Sequence, residues 1–192
     1  MQINPIQWIE LFSALLGVAG VWLNTKPNIL GWPIGIVSVV LAAFVYFQTR
    51  LFAEFGLQIF YAISGFYGWW QWFGLQGKNE NSKISGITFK GLIISLVSGI
   101  GLTFLIGNWL RNNTSADFPW VDSGLAAFSL IAQIWLAKKY LENWLLWMVI
   151  NLISIGLYFV KGLWFFLALY LFYFFLAILG YKNWKILLNR KT

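Results

Sequence analysis

Two tryptophans and two asparagines lie close together in the run N-W-L-L-W-M-V-I-N, which covers residues 143–151. In a helix, Trp144, Trp147 and Asn151 share one face because they are three and four residues apart. Asn151 lies eight residues into this run, about 12 Å along a helix and close to the middle of a bilayer. An amide at that depth costs free energy unless it has a partner, so it either ties two helices together or binds a ligand.

Other aromatic and amide side chains recur at helical spacing. On the third predicted helix, Gln58, Tyr61, Gly65 and Trp69 recur every three or four residues and therefore share one face. Gln133, on the fifth predicted helix, is expected to be a further buried amide. Tyr61 and Tyr173 are both expected near the midplane. Such a surface suits a flat, polar heterocyclic solute, above all a cationic one. A single Trp is more often an anchor at the membrane interface. The sequence predicts that role for Trp8, Trp22, Trp109, Trp120 and Trp164.

The residue types that are missing exclude several kinds of chemistry. The chain has no Cys and no His, which excludes disulfides, thiolate or imidazole metal sites and Cys- or His-dependent catalysis. Its six acids fall in loops or near helix ends, and no pair of them suits a metal-dependent membrane enzyme. We therefore predict no metal, no cofactor and no catalytic residue. The same placement favours a carrier that equilibrates its solute without ion coupling.

The composition requires a membrane. Of 192 residues, 60% are hydrophobic and 10% are charged, far from the roughly 25% charged residues of a soluble domain. The apolar runs have the length of spanning helices, about 18 to 20 residues. The sequence thus predicts an all-α membrane protein with seven transmembrane helices. They cover residues 6–24, 30–48, 53–73, 90–110, 121–137, 143–160 and 163–181.

The chain also contains an internal repeat. Shifting residues 122–184 back by 112 positions onto residues 10–72 gives twelve identities in 63 aligned positions, including Trp144 on Trp32. Two three-helix units share an orientation only if an odd number of spans separates them, so the fourth helix inverts the chain. The predicted architecture is three plus one plus three, with parallel repeats. The predicted domains are a first repeat at 1–75, a loop and linker helix at 76–120, and a second repeat with a basic tail at 121–192.

The two halves differ at the amides. Asn151 aligns with Val39, and Gln133 aligns with Val21. Amides that occur in one half only are not needed for a shared scaffold. This asymmetry favours the interpretation that they bind an asymmetric ligand.

The basic residues predict the orientation. Ten lie in loops or the tail on one side, and three lie on the other, which places the amino terminus outside and the carboxyl terminus in the cytoplasm. Topology thus accounts for the net charge of +7, and no basic module exists to bind nucleic acid. The ten are Lys26, Lys78, Lys83, Lys90, Lys138, Lys139, Lys182, Lys185, Arg190 and Lys191, and the three are Arg50, Arg111 and Lys161.

Several of these motifs resemble the PnuC family of vitamin transporters. They are W-P-I-G-I at 32–36, F-G-L-Q-I-F-Y at 55–61, Y-G-W at 67–69, N-W-x-x-W-x-x-x-N at 143–151, and Gly180-Tyr181 with Trp184. The resemblance implies seven helices in a three-one-three arrangement, like that of the SWEET sugar transporters. It also implies facilitated diffusion of nicotinamide riboside through the cytoplasmic (inner) membrane, with trapping by cytoplasmic phosphorylation. The implied substrate-binding residues are Gln58, Tyr61, Trp69, Gln133, Trp144, Trp147, Asn151 and Tyr173.

The sequence leaves alternatives open. Thiamine carries a cationic heteroaromatic ring that fits the same Trp surface, and riboflavin is carried by close relatives in the family. A membrane-embedded protein that does not transport, such as a lipid-modifying enzyme or an assembly subunit, is the alternative from another class. The expected partners are a small vitamin and the lipid bilayer, and a homo-oligomer remains open.

Overall fold

The chain is built from α-helices. The computed structural model describes residues 5–50, 52–74, 84–115 and 117–190, apart from the side chains of residues 52–54. Within those residues it has seven helices. They are α1 (Pro5–Thr25), α2 (Gly31–Gln48), α3 (Phe52–Phe73), α4 (Phe89–Asn113), α5 (Pro119–Ala137), α6 (Asn143–Val160) and α7 (Trp164–Asn189).

Six helices begin and end within about three residues of the predicted bounds, and the seventh does not. The predicted end of α7 at residue 181 was wrong, because the helix continues to Asn189. Its buried positions, Ala177, Gly180 and Trp184, recur every three or four residues across the predicted boundary. Of the basic residues used for orientation, Lys78, Lys83 and Lys191 lie outside the described residues, as does most of the predicted loop 76–85.

Six of these helices are long and apolar enough to cross a membrane, counted over the described parts of the chain. They are all except α3. That helix is 22 residues long, about 33 Å, but its Gln, Trp and Tyr side chains lower its hydropathy. By length and composition, the described chain therefore has six candidate membrane spans, and α3 is not counted among them.

Local chemistry sets where several helices begin. The hydroxyl of Thr88 accepts a hydrogen bond from the Gly91 backbone N–H (3.2 Å) and caps α4. Pro119 stands at the start of α5, where its missing N–H is not needed.

After α2 and α6 the chain turns through a left-handed residue, Arg50 (φ 60°) and Gly162 (φ 68°) respectively. These two residues are 112 positions apart.

The turns after α1 and after α5 have the same backbone hydrogen bonds at positions 112 residues apart. The N–H of Asn28 donates to Leu23 O (3.2 Å), and that of Tyr140 donates to Trp135 O (3.0 Å). Three more bonds recur in the same way. Gly31 N donates to Asn28 O, as Asn143 N does to Tyr140 O, and Trp32 N donates to Ile29 O, as Trp144 N does to Leu141 O. Ile34 N donates to Leu30 O, as Leu146 N does to Glu142 O. The two turns thus share four backbone hydrogen bonds, although Lys139 has a left-handed φ of 57° where the first turn has Pro27.

The chain divides into two compact units. The first comprises residues 1–83 and 182–192, and the second comprises residues 84–181. Helix α7 passes from one to the other. Its first part, up to Tyr181, belongs to the second unit, and its end belongs to the first.

A buried tryptophan cluster forms the core of the first unit. The Trp32 and Trp72 rings meet edge to face with centroids 5.5 Å apart, and the Trp72 and Trp184 centroids are 6.1 Å apart. The Trp184 indole N–H donates to Asn24 O at 3.0 Å. The end of α7 is thereby fixed to the end of α1.

Two buried serines join α1 to α2 in the same unit. The Ser13 hydroxyl donates to Ser38 O (2.9 Å), and the Ser38 hydroxyl donates to Ser13 O (2.8 Å). Close backbone approach accompanies this pair, because a Cβ at Gly20 would lie 3.1 Å from Gly31 O. Reciprocal hydroxyl–carbonyl bonds of this kind hold apolar helices together where lipid supplies no hydrophobic driving force.

The second unit begins with a segment fixed to the turn between α5 and α6. Ser85 N–H donates to Lys139 O (3.1 Å), and Leu141 N–H donates to Ser85 O (2.9 Å). The Glu142 carboxylate accepts the Ile87 N–H at 2.9 Å. These bonds fix the segment that precedes α4 to the turn that precedes α6.

One tryptophan in each unit packs directly on a glycine. Trp32 covers Gly68 so closely that a Cβ there would overlap the ring, and a Cβ at Gly180 would lie 2.5 Å from Trp144 ring atoms. Trp32 aligns with Trp144, and Gly68 aligns with Gly180, at the offset of 112. Each glycine is therefore required by the ring that lies on it.

Candidate functional site

The predicted cluster on α6 forms one face of an unbroken helix. Trp144 is buried against Gly180, Trp147 is half-buried, and Asn151 is 4% exposed. All three lie within Asn143–Val160, so the predicted spacing holds. Trp144 is accordingly committed to packing within the second unit, whereas Trp147 keeps part of its ring open.

The Asn151 side chain decides between a helix tie and a ligand contact. Although it is almost completely buried, none of the described residues forms a hydrogen bond with its amide. Its amide atoms are not fully enclosed, unlike the unpaired Oδ1 atoms of Asn24 and Asn143. Asn151 therefore does not tie α6 to a described part of its surroundings.

The two glutamines predicted for the site also lack a hydrogen-bond partner among the described residues. Gln133 on α5 and Gln58 on α3 are half-buried, and neither makes a hydrogen bond with the residues that the structure describes. Five other amides donate a hydrogen bond: Gln71 to Tyr67, Asn108 to Phe104, Asn113 to Trp109, Asn143 to Tyr140 and Asn183 to Thr25. The Oδ1 atoms of Asn24 and Asn143 are buried without a partner, so the absence of a bond is shared by the predicted amides and by these two oxygens.

The predicted residues are divided between the two compact units. Gln58, Tyr61 and Trp69 belong to the first unit, and the other five belong to the second. Gln58 and Tyr61 are half-buried on α3, as expected. Trp69 lies on the same unbroken helix, eight residues after Tyr61, and 37% of it is exposed.

Tyr173 is part of an aromatic stack between α6 and α7 that the sequence reasoning missed. The Tyr158 ring stacks on Phe166 with centroids 5.3 Å apart and lies 5.1 Å from Tyr170. Tyr170 in turn meets Tyr173 edge to face at 6.0 Å. Tyr158 lies seven residues after Asn151 and therefore on the same face of α6. This spacing is the signal in the sequence that could have identified Tyr158.

The five tryptophans expected at the membrane interface are all on the outside. Their exposure is consistent with contact to lipid or headgroups. The charged groups are also peripheral. Glu10 is exposed, Asp122 is half-buried in the first turn of α5, and no group of three or more His, Cys, Asp and Glu lies together within the described ranges. The site is therefore built from rings, amides and hydroxyls.

Comparison with known proteins identifies the family. The family described as "Nicotinamide mononucleotide transporter" matches residues 7–186, nearly the whole chain. The chain belongs to this family. It is therefore a membrane transporter of the PnuC type, and it is not an enzyme.

Relatives of this PnuC-type transporter carry different vitamins. The chain is 28% identical to the nicotinamide riboside transporter PnuC of Escherichia coli (strain K12), over 93% of this chain and 85% of that one. It is 25% identical to the riboflavin/roseoflavin transporter RibM of Streptomyces davaonensis, again over 93% and 85%. A crystal structure of the vitamin B3 transporter PnuC matches with a TM-score of 0.78 and 26% identity, over 98% of this chain and 85% of that one.

Proposed function

We propose that the chain carries nicotinamide riboside across the cytoplasmic membrane by facilitated diffusion. The observation that carries this proposal is the buried Asn151 amide without a hydrogen-bond partner among the described residues, one turn from the half-buried Trp147. A ring stacked on Trp and a polar group held by an amide are the two contacts that a nucleoside-like solute needs. Cytoplasmic phosphorylation would then retain the solute in the cell.

The proposed binding residues are the eight that the sequence singled out. They are Gln58, Tyr61, Trp69, Gln133, Trp144, Trp147, Asn151 and Tyr173. The unbonded amides of Gln58, Gln133 and Asn151 support their part in binding. We assign Trp147 to the ring of the solute, because Trp144 is already covered by Gly180.

Riboflavin is the second candidate, since a riboflavin/roseoflavin transporter is a relative at 25% identity. Its ring system is flat but larger and uncharged, so it would gain stacking without a cation–π contribution. Thiamine is the third candidate, because it presents a cationic ring to the same tryptophan. Competition between the three solutes for one site separates them.

We propose a three-plus-one-plus-three arrangement of parallel repeats, with α3 as the seventh span. The equivalent hydrogen bonds in the turns after α1 and α5 support it, as do the left-handed residues Arg50 and Gly162 and the two Trp-on-Gly contacts. The distribution of basic residues supports an outside amino terminus and a cytoplasmic carboxyl terminus.

We further propose that transport is uncoupled from ions. The described acids with placed side chains are at the periphery, so none can carry a proton through the middle of the helices. Vesicles made with the purified protein and loaded with unlabelled nicotinamide riboside should take up labelled solute by exchange, with no imposed gradient. Neither a proton nor a sodium gradient should drive accumulation above the outside concentration.

Protein-free vesicles and vesicles with Asn151→Leu protein serve as controls for this experiment. Uphill accumulation under either gradient would overturn the uncoupled mechanism. If nicotinamide riboside neither exchanges nor competes while riboflavin or thiamine exchanges, the proposed substrate is wrong and the family assignment stands.

A further inference from the structure

Hydroxyl groups in the helices of this chain usually donate to a carbonyl of their own helix. Ser64 donates to Tyr61 O (3.0 Å), and Thr103 donates to Gly99 O (2.8 Å). Such bonds satisfy a buried hydroxyl and give it no further role. Two serines of the second unit differ from this pattern, and both are on helices that carry a proposed binding residue.

Ser129 on α5 is 6% exposed, and Ser154 on α6 is 2% exposed. None of the described residues hydrogen-bonds either hydroxyl. Each is one turn from an unbonded amide, because Ser129 is four residues before Gln133 and Ser154 is three residues after Asn151. The second unit therefore has two pairs of buried or half-buried polar side chains, an amide with a hydroxyl, without protein partners in the described ranges.

The four side chains lie at similar depths. Helices α5 and α6 run in opposite directions from their short turn at 138–142. Ser129 is eight residues before the end of α5, and Asn151 is eight residues after the start of α6, so both are about 12 Å from the turn. Ser154 is about 5 Å deeper than Asn151 along the same face.

The corresponding positions of the first half are apolar or lack a side chain. Ser129 and Ser154 align with Gly17 and Ala42. The three buried serines of the first half all donate hydrogen bonds. Ser13 and Ser38 donate to each other's carbonyls, and Ser64 donates to Tyr61 O. Unbonded hydroxyls are therefore a property of the second unit and are not part of a shared scaffold.

We propose that Ser129 and Ser154 form a subsite that binds the hydroxyl groups of the sugar or sugar-alcohol part of the transported solute. This inference rests on the proposed function and deepens it. Trp147 takes the ring, Asn151 lies one turn farther along α6, and Ser154 lies seven residues from Trp147, about 10 Å, the length of a nucleoside. The substrate class is then a flat ring that bears several hydroxyl groups, as in a riboside or a ribityl compound, rather than a ring alone.

The test compares Ser129→Ala and Ser154→Ala with Ser123→Ala in the full-length, detergent-purified protein. Ser123 is the matched control because it is a buried serine of α5 whose hydroxyl bonds to Pro119 O of its own helix. Calorimetry measures binding of nicotinamide riboside and of 1-methylnicotinamide, which has the same cationic ring without the sugar. A thermal shift without ligand measures folding, and Ser154→Cys is a second variant that keeps the side-chain size.

We expect each of the two subsite variants to weaken riboside binding by roughly twofold to tenfold, the effect of one hydrogen bond. Binding of 1-methylnicotinamide and the melting temperature should be unchanged, and Ser123→Ala should bind both probes like the parent. Equal weakening for both probes, unchanged riboside affinity, or a lowered melting temperature would overturn the subsite while leaving the proposed function intact. A parent protein that binds no riboside would overturn the proposed function, and the subsite with it.

Discussion

Replacing Asn151 by leucine separates binding from folding. The two side chains have the same number and branching of heavy atoms, but leucine has no hydrogen-bonding group. The Asn151 amide makes no hydrogen bond with the described residues at 4% exposure. Asn151→Leu therefore breaks no hydrogen bond with them, so the ligand-free variant should melt at about the same temperature as the parent.

Solute binding should change in the opposite direction. A hydrogen bond to the solute contributes about 0.5 to 1.5 kcal/mol, and stacking of a desolvated cation on Trp147 contributes about 0.5 to 2 kcal/mol. Asn151→Leu and Trp147→Ala should therefore each weaken nicotinamide riboside binding by roughly threefold to thirtyfold. Calorimetry on monodisperse protein in detergent measures the affinity, and a thermal shift measures the stability.

Two controls make the result interpretable. Gln71 on α3 is half-buried, and its amide N–H donates to the Tyr67 hydroxyl at 2.7 Å. Gln71→Leu should therefore lower the melting temperature, whereas Asn151→Leu should not. Trp8→Ala removes a ring that is 55% exposed, and it should leave affinity unchanged. Our reasoning is refuted if Asn151→Leu destabilises the protein as Gln71→Leu does and binds riboside as tightly as the parent.

Two further predictions concern packing and orientation. Gly68→Ala and Gly180→Ala should each destabilise the protein by about 1 to 3 kcal/mol in thermal unfolding, because the new Cβ would overlap a buried Trp ring. Gly156→Ala, where nothing lies within 4 Å, should not, and equal melting temperatures for all three variants would contradict the Trp-on-Gly packing. A reporter fused after Thr192 should be active only in the cytoplasm, given ten basic residues on that side against three. Activity on the outer side would reverse the proposed orientation.

Much of the fold could be predicted from the sequence because apolar runs and their breaks define membrane helices directly. The breaks at Pro27, Arg50 and Pro119 gave helix bounds close to those observed. The end of α7 could not be predicted in the same way. The prediction stopped near Lys182, whereas the helix continues because Trp184 is buried in the first unit and bonds to Asn24.

The candidate site was predicted in part. Helical spacing correctly placed Trp147 and Asn151 on one face, because that arrangement depends only on helix geometry. It could not single out Ser154, since a serine in a helix usually bonds to its own backbone. Ser154 is distinguished only by its lack of a hydrogen bond with the described residues.

The hydrogen bond from Trp184 to Asn24 has a consequence for the order in which the protein is made. It joins residues 160 positions apart, so at about 5 to 20 residues per second a ribosome needs roughly 8 to 32 s to synthesise the chain between them. During that interval Trp32 and Trp72 exist without the Trp184 indole that packs against Trp72. The tryptophan core of the first unit can therefore be completed only when the last residues of the chain have been made.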